Sequence, residues 1–327
     1  MIVPQFWAEA RVHQVRTKEH RQVTVRRFGW SDASQAEAER MANERAQEAF
    51  KQIISGNKLV RREPKIAYNG ADGVPIREEI LSHHGETIIT RNAYGAHCLN
   101  TPDVLFADVD FDEGIRMRVV LIVIGLLLAS AIGLGVWRHS GAIAVFAGLA
   151  ALVFGYSLAK TLRKIAVRLR GGPEQLARTR IGGFARQHPD WYLRLYRTPA
   201  GFRVLVMHRT FDAHEPAVAD FFTALGVDPV YATMCKNQHC FRARVSPKPW
   251  RIGLGQHMRP RPGVWPVNPA QMEKRQTWIR QYEDVSAKFA SCRFIEAIGG
   301  GTIHPKAASV RDLHDRMSLA LSGREIA

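Results

Sequence analysis

The hydrophobic pattern of this 327-residue chain changes character once. From Val119 to Trp137 it reads VVLIVIGLLLASAIGLGVW, 19 residues without a charge. Arg138, His139, Ser140 and Gly141 interrupt the run, and AIAVFAGLAALVFGYSLA then continues for 18 residues to Ala159. Each run has the length that crosses a hydrocarbon core of about 30 Å at about 1.5 Å per residue. Neither carries the polar face of a soluble protein's surface helix. The pattern predicts a transmembrane helical hairpin over 117–160, antiparallel because its link is only four residues long. Small residues recur at Gly125, Ala129 and Gly133, and at Ala147, Gly148, Ala151 and Gly155. They allow two helix backbones to pack closely. The rival reading is a helical hairpin buried inside a large soluble core.

Elsewhere the pattern is that of an α+β body. RQVTVRRF, with Val23 and Val25 alternating with polar neighbours, predicts a strand. A helix follows, capped by Ser31 or Ser34, with Ala38, Met41, Ala42, Ala46, Ala49, Phe50 and Ile53 at helical spacing and Gly56 closing it. Pro64, Gly70, Gly73 and Pro75 mark a turn-rich stretch. ETIITRN reads as extended, and TPDVLFADVDFDEG as a buried strand ending in acids. After the hairpin comes a basic helix. WYLRLYRTPAGFRVLVMH then predicts two strands joined at Thr198 to Gly201. AHEPAVADFFTALGV predicts a helix, residues 271–294 a polar helix, Gly299 to Gly301 a hinge, and residues 308–322 a last amphipathic helix. Strands thus flank the hairpin on both sides, so the membrane helices read as an insertion into one mixed or antiparallel sheet. The boundaries expected are 1–66 for an N-terminal strand-helix module, 67–116 and 161–268 for the two parts of an α+β domain, 117–160 for the hairpin and 269–327 for a C-terminal helical segment.

Charged residues make up 23% of the chain, which suits a soluble body with a small membrane insert rather than a bulk membrane protein. The formal net charge of +16 points to anionic partners, either nucleotides and nucleic acid or anionic lipid headgroups. Arg116 and Arg118 precede the first apolar run; Lys160, Arg163, Lys164, Arg168 and Arg170 follow the second; only Arg138 and His139 lie between. By the excess of cations on cytoplasmic flanks, both long arms and both termini face the cytoplasm of an inner-membrane protein. MIVPQFWAEARVHQV has neither a basic start nor an apolar run, so the hairpin is expected to act as its own insertion signal. The four cysteines, Cys98, Cys235, Cys240 and Cys292, then sit in a reducing compartment, where thiols stay free.

Three segments carry candidate chemistry. Asp108 and Asp110 in FADVDF share one face of a strand, because side chains alternate. Two adjacent carboxylates repel, and a divalent cation such as Mg²⁺ or Mn²⁺ relieves them. The alternative is a strand end capped by solvated acids. Tyr196-Arg197-Thr198-Pro199-Ala200-Gly201-Phe202-Arg203 leads into a strand ending at His208, and its Gly turn beside Thr and Arg suits phosphate. Arg203 and His208 fall on opposite faces of an ideal strand. Gly226-Val227-Asp228-Pro229 precedes a stretch, 229–272, that has no Asp or Glu but holds Lys236, Arg242, Arg244, Lys248, Arg251, Arg259 and Arg261, with Phe241 and Trp250 among them. Cations interleaved with aromatics suit a phosphate backbone and stacked bases, although Trp250 reads more readily as a core anchor. CKNQHC offers Cys235, His239 and Cys240 to zinc, with loose spacing and no second pair.

Taken in order, ADVDF, RTPAGFR and GVDP followed by FRARVSPKPWR resemble the motifs of the archaeo-eukaryotic primase superfamily. The resemblance covers roughly a third of the chain in short pieces. It implies a palm-like α+β sheet and a metal-dependent nucleotidyltransferase. Asp108 and Asp110 would hold the catalytic metals and Asp228 would be the third carboxylate. Arg203 stands where the family keeps its nucleotide-binding His, and Thr198, Gly201, Arg203, His208, Arg242, Arg244 and Lys248 would meet nucleotide phosphates. Two other readings stay open: a catalytically inactive, membrane-tethered binder of nucleic acid or scaffold, and a glycosyltransferase, which also uses D-x-D to hold a metal.

Overall fold

The computed structural model describes residues 3–16, 21–64, 74–111, 114–115 and 117–327. Gly70, Gly73, Asp112 and Arg116 lie outside them. The chain forms two compact units, Met1–Val109 with Phe184–Ala327, and Asp110–Gly183.

The first unit is α+β with antiparallel sheets. β1 (Phe6–Arg16) and β2 (Arg21–Ser31) make a long hairpin, of which the pattern foretold only the second strand. α1 (Gln35–Ile54) lies on it, with Ser34 as its cap, accepting from the Glu37 N–H. Ala38, Ala42 and Ala46 pack on Ala8 and Ala10, so the layer is closed by small side chains at short range. Gly29 is required at the crossing: a Cβ there would lie 2.1 Å from the Ala38 carbonyl oxygen.

Two four-stranded sheets follow. The first runs β3 (Glu79–His84), β4 (Thr87–Arg91), β5 (His97–Thr101), β9 (Phe241–Arg244). The second runs β10 (Arg293–Ile298), β7 (Leu193–Arg197), β8 (Gly201–Val206), β6 (Phe106–Asp110). Each combines strands from before and after the apolar hairpin. The insertion reading therefore holds, with two sheets in place of one. β7 and β8 form the expected hairpin, Arg197 opposite Phe202. Of the helices, α5 (Pro216–Leu225) buries Val218, Phe221, Phe222 and Leu225. Phe221 stacks on Trp191, centroids 5.1 Å apart, inside a cluster with Phe184 and Phe211. α6 (Pro229–Gln238), α7 (Met272–Ser286) and α8 (Pro305–Ser318) complete the unit. The polar helix expected to reach residue 294 stops at Ser286, and Arg293–Ile298 pair with β7 as β10.

The second unit holds α2 (Met117–Trp137) and α3 (Gly141–Leu169), and most of α4 (Gly172–Gln187), which leads the chain back to the first. α2 and α3 are long and apolar enough to cross a membrane. Only 17% of each apolar stretch is buried, and Leu121, Ile122, Leu126, Phe146, Val153 and Phe154 are more than half exposed, so the buried-hairpin reading fails. The seam is made of small residues, though not all of those expected. Val120, Ala131 and Gly135 on α2 and Ala151, Gly155 and Ala159 on α3 are the buried positions. Gly135 lies against Ala144 and Gly155 against Ile124, while Gly125 and Gly133 face open space. Ser140 caps α3, accepting from the Ile143 N–H. α3 runs without a break past Ala159 to Leu169, so the basic segment belongs to the same helix.

Candidate functional site

The site grows from the neighbouring strands β6 and β8. Their pairing puts Val206 N–H on the Leu105 carbonyl at 3.0 Å, and a few residues along it sets Arg203 opposite Asp108. The Arg203 guanidinium forks the carboxylate, Nε to Oδ1 at 2.8 Å and Nη2 to Oδ2 at 3.1 Å. Its remaining nitrogen, Nη1, donates to the Arg244 carbonyl at 2.7 Å and lies 3.3 Å from His314 Nε2. Arg203 is 2% exposed, whereas the Asp108 side chain is 41% exposed. Burial works against ionisation of Asp108, and the Arg203 charge outweighs it, holding the carboxyl below the usual carboxylate range. Two-point charge-assisted contact of this kind is among the stronger polar contacts in proteins.

Behind Arg203 the network continues. His314 Nδ1 lies 3.0 Å from Asp315 Oδ1, and Arg194 Nη2 donates to Asp315 Oδ2 at 2.9 Å. Burial and the Arg203 charge push the His314 pKa down, but Cys292 and the hydrogen bond to Asp315 outweigh them and raise it. Cys292 Sγ sits 3.8 Å from His314 Nε2. Arg194, His314 and Asp315 are not among the residues the sequence singles out, and Cys292 stands out there only as a free thiol. Arg203 and His314 are 111 positions apart, and no local motif announces their contact.

The remaining expected residues are dispersed. Asp110 is exposed at the end of β6. Asp228 caps α6 with its carboxylate accepting from the Val230 N–H at 2.9 Å, so a local backbone role accounts for it. Among the described residues no three His, Cys, Asp or Glu side chains gather as a bound cation requires. Thr198 Oγ1 accepts from the Gly201 N–H at 3.0 Å, closing the β7–β8 turn on itself. His208 accepts from the Tyr192 N–H at 3.4 Å and packs 5.0 Å from the Trp191 ring; burial, then the charge of Arg209, lowers its pKa. Arg242 is 6% exposed and donates twice to Glu78 at 2.7 Å and once to Asn100, which makes it a fixture of the β5–β9 seam. Arg244 lies beside the Asp108 centre, and its Nη1 is buried with no hydrogen-bond partner among the described residues. Cys235 and Cys240 are fully buried, and His239 ends α6 in a left-handed conformation.

The segment after β9 is held firmly although it has little regular structure. Ser246 Oγ accepts from the His97 N–H at 2.7 Å and contacts the Tyr282 hydroxyl, which donates to the Pro247 carbonyl at 2.7 Å. Ile252 and Met258 are buried with Trp278 and Tyr282, and Trp278 Nε1 donates to the Gln256 carbonyl. On this support Trp250 is 52% exposed, which corrects its reading as a core anchor. Its ring is met edge-on by Tyr94 at 5.2 Å, and Lys248 Nζ lies 5.4 Å from its centroid. Arg259 and Arg261 are exposed on the same segment.

Comparison with protein-family models, with curated proteins and with solved structures finds no match to any of them.

Proposed function

We propose that the chain is a membrane-anchored binder of single-stranded nucleic acid, built on a primase-like sheet that does not carry out metal-dependent transfer. The observation that carries this reading is the Arg203 fork on Asp108, which engages both oxygens of the first acid of the D-x-D pair. A cation seated there would sit against the buried Arg203 guanidinium, and like charges at short range repel. The primase-like part of the reading is supported by the adjacency of β6 and β8, which brings the FADVDF and RTPAGFR segments side by side. The binding part is supported by Trp250, held exposed next to Lys248 in a segment without acids. A stacked base uses the ring face, and Lys248, Arg251, Arg259 and Arg261 neutralise the phosphates along the strand. α2 and α3 anchor this module to the inner membrane, with both long arms in the cytoplasm.

The second reading, a nucleotidyltransferase using Mg²⁺ or Mn²⁺ on Asp108, Asp110 and Asp228, has one observation in its favour. The Asp108 side chain keeps 41% of its surface open, leaving lone pairs that Arg203 does not use.

The test is equilibrium binding of a fluorescent single-stranded oligonucleotide to the full chain in detergent at several salt concentrations. Three to four neutralised phosphates give a log–log salt slope of about −2 to −3. Trp250→Ala is expected to weaken binding about 5- to 150-fold, the value of one stacked base. No binding at low salt, or binding indifferent to Trp250→Ala, refutes the assignment of this segment.

A further inference from the structure

The second unit has a cleft of its own. It measures about 550 Å³ and lies along the C-terminal part of α3, where the apolar stretch gives way to charge. One wall is a ladder of side chains on one face of that helix: Tyr156, Lys160, Arg163, Lys164 and Arg168. The facing wall includes Phe111 and Ile115 from the segment leading into α2. Lys160, Lys164 and Arg168 are exposed, and none has an acidic partner among the described residues. The cleft is therefore lined both by apolar and aromatic side chains, Tyr156, Phe111 and Ile115, and by a row of cations. Its position along α3 is as informative as its composition. Ala159, the last residue of the apolar run, precedes Lys160 directly, so in a bilayer the cations stand at headgroup depth.

We infer that this cleft binds one anionic phospholipid, its phosphate diester between Lys160, Lys164 and Arg168 and its glycerol end against Tyr156 and Ile115. The volume falls in the range of small-molecule sites. A free inorganic anion would use the cations and leave the apolar wall idle; a lipid uses both. General attraction of a basic protein to an acidic leaflet needs no cleft and is spread over every juxtamembrane cation. A bound lipid singles out this one. The inference rests on α2 and α3 crossing a membrane and is independent of nucleic-acid binding, so each can fail alone.

The experiment is native mass spectrometry of the detergent-purified full chain. It is incubated with phosphatidylglycerol, with phosphatidylcholine of the same acyl chains, or with phosphatidylglycerol plus excess inorganic phosphate. The expected result is retention of one phosphatidylglycerol, at least ten-fold preferred over phosphatidylcholine and not displaced by phosphate. Lys160→Gln/Lys164→Gln/Arg168→Gln loses it at least ten-fold; Arg170→Gln/Lys236→Gln/Lys274→Gln, with the same net charge, keeps it. Val167→Trp, which fills the cleft and spares every cation, also loses it. Equal loss in the two triple variants, displacement by phosphate, or full retention in Val167→Trp overturns the proposal.

Discussion

Cutting the Asp108–Arg203 pair from either side should have unequal effects. Asp108→Ala leaves a guanidinium that is 2% exposed, with the Arg244 carbonyl and the His314 ring as its remaining hydrogen-bond neighbours among the described residues. Removing one partner of a buried ion pair costs about 3–5 kcal/mol, because the other charge stays desolvated and unpaired. Arg203→Met leaves Asp108 instead, and that side chain is 41% exposed, so water takes over its solvation. What is lost then is the donor to the Arg244 carbonyl and the fork itself, about 1–3 kcal/mol. Asp108→Ala is therefore the more damaging by about 2 kcal/mol. The double variant should cost less than Asp108→Ala alone, since it removes the buried charge together with its partner. Thermal unfolding of the full chain in detergent, followed by tryptophan fluorescence, reads this directly. At roughly 2–4 °C per kcal/mol for a domain of this size, Asp108→Ala should melt roughly 6–20 °C below wild type. Equal melting of the two single variants, or a double variant worse than both, refutes the claim that Arg203 depends on Asp108 for its charge.

Two further outcomes follow from the same geometry. Asp108 and Asp315 both ionise below the usual carboxylate range: burial opposes the charge of each, and Arg203 in one case, His314 and Arg194 in the other, overcome it. Folded-state values depressed in this way contribute stability that is fully present above about pH 4 and is lost as the pH falls through the folded values. The melting temperature should then be insensitive to these groups between about pH 7 and 5 and fall below about pH 4, with Asp108→Asn flattening the fall; a fall centred near pH 6 would contradict it. In the apolar hairpin, a Cβ at Gly135 would lie 2.5 Å from the Ala144 Cβ, whereas one at Gly133 meets nothing within 4 Å. Gly135→Ala should cost about 1–3 kcal/mol by overpacking and Gly133→Ala nothing, measured as heat resistance of the purified protein.

The apolar hairpin was legible because length and the lack of a polar face are local properties. So was the β7–β8 hairpin, whose turn at Thr198 to Gly201 is written in four consecutive residues. β1 was missed because Ala8 and Ala10, which lie buried against α1, are not strand formers by preference. β10 is not foretold for a similar reason: the helix expected over 271–294 takes in only its first two residues, RFIEAI contains Glu and Ala, and pairing with β7 settles its state. At the site, Asp108 was visible as an acid closing an apolar strand, and Arg203 as a cation entering another. That one neutralises the other follows from sheet order, which brings together strands separated by the whole apolar hairpin. His314 and Asp315 on α8 complete the network from still further along the chain. Glu78 likewise claims Arg242 across 164 positions, so a residue that reads as a phosphate ligand is structural.

The central claim is that this chain holds single-stranded nucleic acid without metal-dependent nucleotidyl transfer. The most direct measurement places the purified full chain with a single-stranded oligonucleotide and labelled nucleotides, in Mn²⁺ and in a chelator, and reads binding and incorporation together. The account predicts binding that persists in the chelator, no weaker than in Mn²⁺, and no incorporation in either. Incorporation that requires Mn²⁺ and disappears in Asp110→Asn would contradict it, and would mean that Arg203 gives up Asp108 to a metal when substrate arrives.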